Sequence, residues 1–174
     1  HCASCHAHVD ASGKGIKAEK PSAPNLYRFA SREWLAGLFD PKRITRADYF
    51  GNTAFRKGAM AGYVKDTFED LDDDIKAQRD NMIAALSALA KLPYQKDADA
   101  KDAAKIKEGR EHITKKDFDC IDCHRFDGKG PCKDGYPDLT NYGSREWLIA
   151  IIGNPAHERF YGTKNDRMPL YAEP

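Results

Sequence analysis

The hydrophobic residues fall into short stripes of helical spacing, separated by polar and charged stretches. Ile75, Met82, Ile83, Leu86 and Leu89 recur near one face, which predicts a helix over about 70–90. Met82 lies inside that stripe and reads as core filler. A second helix, over about 100–113, leads into FDCIDCH. Between the two, KLPYQKDADA (91–100) carries a proline and a charged tail, the pattern of a linker. Two shorter helices open on SREWL, which occurs at 31–35 and at 144–148. Ser31 and Ser144 are good N-caps, and Glu33 and Glu146 stand in the first turn, where the helix dipole favours negative charge. Asp40-Pro41 and Asn154-Pro155 end these helices, because the residue before proline avoids helical geometry. No alternating strand pattern is evident. The expected fold class is all-α, mostly helix and loop.

The repeated SREWL belongs to a longer repeat. NLYRFA (25–30) aligns with DLTNYG (138–143), preceded by Pro24 and Pro137. Pro41 and Pro155 follow the same segment, and YFG (49–51) aligns with FYG (160–162), leading to Met60 and Met168. Each copy begins with Cys-x-x-Cys-His, at Cys2, Cys5 and His6, then at Cys120, Cys123 and His124. Six features in one order, twice, indicate an internal duplication. The expected domains are 1–92 and 98–174, joined by a linker at about 91–100.

Composition narrows the function. With 174 residues and 41% hydrophobic content, the chain has a modest apolar inventory for two small domains, which suggests help from a metal or cofactor. A net charge of +1, with no basic stripe interleaved with aromatics, argues against nucleic-acid binding. The longest apolar run, WLIAII, is far too short to span a bilayer. Residues 1–96 hold 15 basic and 12 acidic side chains, net +3, and residues 97–174 hold 13 and 15, net −2. This dipole either helps orient two partners or has no role.

The five cysteines include four locked in the two x-x spacings, a poor match to a disulfide framework. Two thiols three positions apart on one turn can each add to a vinyl group of one haem, while the adjacent histidine reaches the iron. Covalent c-type attachment is therefore the expected chemistry, with two haem c groups in the chain. Zinc would need four ligands where each copy clusters three, and a thioredoxin-like pair has no use for the histidine. Methionine on the open side raises the potential and favours electron transfer over chemistry on a bound molecule. Met168, in NDRMPLY, and Met60, in KGAMAGYV, are the candidate distal ligands, so the expected metal set is His6, Met60, His124 and Met168. Among the other histidines, His8, His112 and His157 read as surface residues, His157 being the best competitor for the second haem. Cys132 has no partner thiol. Trp34 and Trp147 are expected to pack near each haem edge, with a propionate as one candidate partner for each indole N–H. Arg32 and Arg145 could pair with propionates too, or lie on a solvated helix face.

With these motifs in hand, both halves resemble class I cytochrome c domains, on CIDCH, YPDL, GNP and DRMP in family order. The resemblance covers nearly the whole chain. It implies that the carbonyls of Pro24 and Pro137 accept a hydrogen bond from His6 and His124, fixing each ring. The run SREWL…NP…FYG…NDRMP resembles more narrowly the cytochrome c modules of bacterial quinol-oxidising cytochrome bc complexes. A class I domain has one helix before CxxCH and another after the methionine, and the two cross. By that pattern the first half lacks the former and the second half the latter, so the chain is expected to be an internal piece of something longer. The expected function is single-electron transfer between redox protein partners, as the cytochrome c subunit or segment of a membrane respiratory complex. The resemblance places it in the periplasm or on the outward-facing side of the membrane. The chain itself is not expected to be an enzyme. The alternatives are a dihaem peroxidase, which needs a displaceable distal ligand, a free dihaem shuttle, or a haem-based sensor, for which nothing visible supplies an exchangeable ligand or an output domain.

Overall fold

The computed structural model describes residues 1–115 and 118–172. By the density of internal contacts the chain divides into His1–Asp73 and Asp74–Pro174.

The first unit opens on one helical turn, α1 (Cys2–Cys5), followed by a small antiparallel hairpin of β1 (His8–Val9) and β2 (Gly15–Ile16). Strands of two residues are too short to leave an alternating signature, so this hairpin was not foreseen. It is made by its turn: Asp10 Oδ1 accepts from the Ser12 and Lys14 amides and the Ser12 hydroxyl. Gly15, at φ +135°, lets the strand pass His8, whose carbonyl would lie 2.2 Å from any added Cβ. Helices α2 (Arg32–Leu38) and α3 (Ala59–Phe68) follow. Trp34, Leu35, Phe39, Ile44, Tyr49, Val64 and Phe68 are buried, and the rings of Phe39 and Phe68 stand 5.6 Å apart.

The second unit contains α4 (Asp73–Leu89, all but its first residue), α5 (Lys96–Lys101), α6 (Ala103–Thr114), the single turn α7 (Cys120–Cys123) and α8 (Arg145–Gly153). Met82, Ile83, Leu86, Ile113, Phe126, Trp147 and Phe160 are buried, Met82 as the core filler expected. The predicted helices at 70–90 and 100–113 form as α4 and α6, but their partnership differs from expectation. Helix α4 packs on α6, backbone against backbone at Gly109, where an added Cβ would fall 1.9 Å from the Asn81 carbonyl oxygen. Asn81 Nδ2 also donates to Glu108 at 2.9 Å. The stripe that sequence order assigned to the end of the first half thus belongs by its contacts to the second unit. The stretch 91–100 is also not an open linker. It forms a 3₁₀ turn at Pro93–Gln95 and most of α5, and buried Gln95 donates to buried Ser87 of α4 at 2.7 Å.

The structure is mostly helix and loop, as the apolar pattern predicted. Both serine caps form, Ser31 accepting from the Trp34 amide and Ser144 from the Trp147 amide, each at 3.1 Å. Among the described residues no helix is long and apolar enough to cross a membrane.

Candidate functional site

Each CxxC string winds into one helical turn, and the following histidine leaves it. The amides of His6 and His124 still bond to the carbonyls of Cys2 and Cys120, both at 2.9 Å. Their own backbones are extended (φ −94°, ψ 130° and φ −102°, ψ 146°), which swings each ring away from the helix axis. Both rings then meet the proline loop. Nδ1 of His6 lies 2.8 Å from the Pro24 carbonyl, and Nδ1 of His124 lies 2.7 Å from that of Pro137. A carbonyl only accepts, so Nδ1 carries the hydrogen, and in the neutral ring Nε2 is left with its lone pair. The rings are half-buried, and burial pulls the basicity of His124 down, against the pull of the Pro137 carbonyl. A neutral imidazole with Nδ1 committed is the form in which histidine binds a metal. Cys2 and Cys132 are exposed, and Cys5, Cys120 and Cys123 are half-buried.

The proline loop is tied down identically in both units. The amides of Leu26 and Leu139 donate to the carbonyls of Ala7 and Arg125, both at 2.8 Å. The amides of Asn25 and Asp138 donate to the carbonyls of Asp48 and Arg159. The indole N–H of Trp34 donates to the Asn25 carbonyl at 2.9 Å, and that of Trp147 to the Asp138 carbonyl at 2.8 Å. This corrects one expectation: the indole N–H groups are engaged by peptide carbonyls rather than offered to a propionate. The two tryptophans brace the proline loop instead. Each sits among rings, Trp34 with Phe29 and Tyr49 at 4.7 and 5.4 Å, Trp147 with Tyr142 and Phe160 at 5.0 and 5.4 Å. Asn25 and Asp138 escaped the sequence reading, although their place directly after the prolines could have flagged them.

The methionines are presented differently. Met60 is the second residue of α3, and Met168 lies on a non-helical segment with its carbonyl held by Asn165 Nδ2 at 2.8 Å. Both are half-buried. His157 is exposed, its Nδ1 accepting from the Arg159 amide at 3.1 Å, and His8 is exposed with its ring edge-on to Tyr27. His112 departs from expectation: it is half-buried against Phe118, and its Nδ1 is enclosed without a hydrogen-bond partner. Arg32 is half-buried and Arg145 exposed.

No family model, curated protein or solved structure matches the chain. The donor set itself must carry the reading. Zinc needs four donors, and among the described residues no three or more His, Cys, Asp or Glu side chains gather as a metal site. Each motif instead sets two thiols on one turn, followed by a single imidazole whose tautomer is fixed. A cleft of about 350 Å³ in the first unit is lined by Asn25, Trp34, Tyr49, Arg43 and Arg46, among others. None of Cys2, Cys5, His6 or Met60 lines it, so it is separate from the CxxCH motif.

Proposed function

We propose that the chain is a dihaem c-type electron carrier of the class I cytochrome c kind, passing single electrons between redox protein partners. The observation that supports this best is the pair of histidine-to-proline carbonyl bonds, made at the same place in both repeats. Cys2 and Cys5, then Cys120 and Cys123, would hold the two porphyrins as thioethers. His6 and His124 would be proximal ligands through Nε2, and Met60 and Met168 distal ligands through sulfur. When bound, the haem iron supplies reversible one-electron exchange. The chain contributes fixed ring orientation through Pro24 and Pro137, and a loop held rigid by Trp34 and Trp147. Rigid ligands lower the reorganisation that accompanies each transfer, which suits a carrier better than a catalyst. The proposed setting is the periplasmic or outward-facing side of a membrane, with subunits of a respiratory complex as donor and acceptor.

Near-infrared magnetic circular dichroism of the oxidised protein tests this, because it reports axial ligands haem by haem. Two low-spin His/Met haems are expected. One high-spin haem would turn the reading toward a dihaem peroxidase, and a chain that takes up no thioether-linked haem would overturn it.

A further inference from the structure

Two neighbouring residues in the second unit reach in opposite directions. Lys133 Nζ donates to the carbonyl of Asp122, within the CxxCH turn α7. The last carbonyls of so short a helix have no partner inside it, and a lysine is a suitable one. Asp134 grips the segment that leads to Met168: its Oδ1 accepts from the Thr163 amide at 2.6 Å, and its Oδ2 accepts from the Thr163 hydroxyl. Two glycines permit the approach. An added Cβ on Gly162 (φ +53°) would fall 1.9 Å from Asp134 Oδ1, and one on Gly135 (φ +86°) 3.0 Å from the Lys164 side chain. Two residues beyond Thr163, Asn165 holds the Met168 carbonyl at 2.8 Å. Beyond Met168, the Tyr171 and Ala172 amides donate to the Gly153 carbonyl, both at 3.0 Å, so the stretch from 162 to 172 is fastened at both ends.

The first unit lacks this device. There 19–22 runs along α1 through backbone bonds, with the Lys20 amide on the Ser4 carbonyl at 2.8 Å. Asn52, at the place of Thr163, is exposed, and Met60 already stands in the first turn of α3.

We propose that Lys133 and Asp134 form a strap between the attachment turn and the methionine segment, making Asp134 a positioning residue for Met168 as ligand to the second haem. This rests on the dihaem reading above. Methionine sulfur is a weak, displaceable ligand, and a segment tethered at both ends resists its displacement by keeping the sulfur concentrated at the iron.

The test is cyanide titration of the oxidised, fully haem-loaded chain, followed through the sulfur-to-iron charge-transfer band. Met168→His assigns the share of that band due to the second site. In Asp134→Ala the cyanide concentration that half-displaces this share should fall about tenfold, the worth of one net hydrogen bond, while the Met60 share keeps its midpoint. Asp134→Asn should recover most of the loss, since its amide can accept from the Thr163 N–H and donate to the hydroxyl. Thr163→Val is the milder second variant and should shift the midpoint the same way by less. An unchanged midpoint in Asp134→Ala, or equal shifts at both sites as general loosening would give, overturns the strap while leaving the dihaem reading intact. Loss of the second-site band from the wild-type spectrum would overturn Met168 as ligand and the strap with it; the absence of thioether-linked haem would overturn the dihaem reading.

Discussion

Ala30 and Gly143 hold the same place in the two repeats, just before the capping serines, and both have positive φ, 61° and 72°. So do Arg28 and Asn141, two residues earlier, at 53° and 58°. The left-handed region costs a non-glycine residue about 1–2 kcal/mol. In the second repeat Asn and Gly reduce that cost, and in the first Arg and Ala bear it. Ala30→Gly would relieve strain but loosen the unfolded chain and delete a buried methyl, so it should change stability by less than about 1 kcal/mol. Gly143→Ala has no such compensation and should cost about 1–2 kcal/mol. Urea unfolding of the two variants measures the difference. At this scale legibility was uneven. The serine caps could be read from SREWL, and the histidine–proline bonds followed from the family resemblance. The left-handed backbone was visible only in NYGS, because RFAS has neither glycine nor asparagine to announce it.

At the scale of elements, the crossing of α4 and α6 depends on Gly109. Alanine there would gain about 1 kcal/mol in helix propensity. Its methyl would also collide with the main chain of α4, which cannot swing aside as a side chain can, and overpacking of this kind costs about 1–3 kcal/mol. Gly109→Ala should therefore lower the melting temperature, and Gly109→Val should lower it further; calorimetry of both checks the order. The apolar stripe of Ile75, Met82, Ile83, Leu86 and Leu89 correctly announced a helix with a buried face. What it could not announce was which neighbour covers that face, since periodicity records burial and not the partner. Order along the chain pointed to the preceding repeat, whereas contact points to the following one. The buried Ser87–Gln95 bond was missed for a similar reason, because the charged tail of 91–100 outweighed one glutamine in the reading.

At the scale of the molecule, the contact boundary at 73/74 and the motif boundary near 91–100 make different predictions for fragments. Residues 74–174 keep α4 on α6 and should fold as a unit that takes up one haem. Residues 98–174 lose α4, expose Ile113 and the Gly109 face, and should fail to fold or bind haem stably; circular dichroism and haem stoichiometry of the two fragments decide this. The same displacement has a consequence for ancestry. Duplication copied a sequence motif that starts at the CxxCH turn, yet the packing module of the second unit starts three helices earlier, at α4, so motif and module run out of phase. Recombination between related genes that cuts at the start of the motif would part α4, α5 and α6 from the turn α7 that α6 contacts. A cut at 73/74, at the start of α4, would transplant a working half. Exchange of such halves should thus leave its scars before α4, not beside the cysteines.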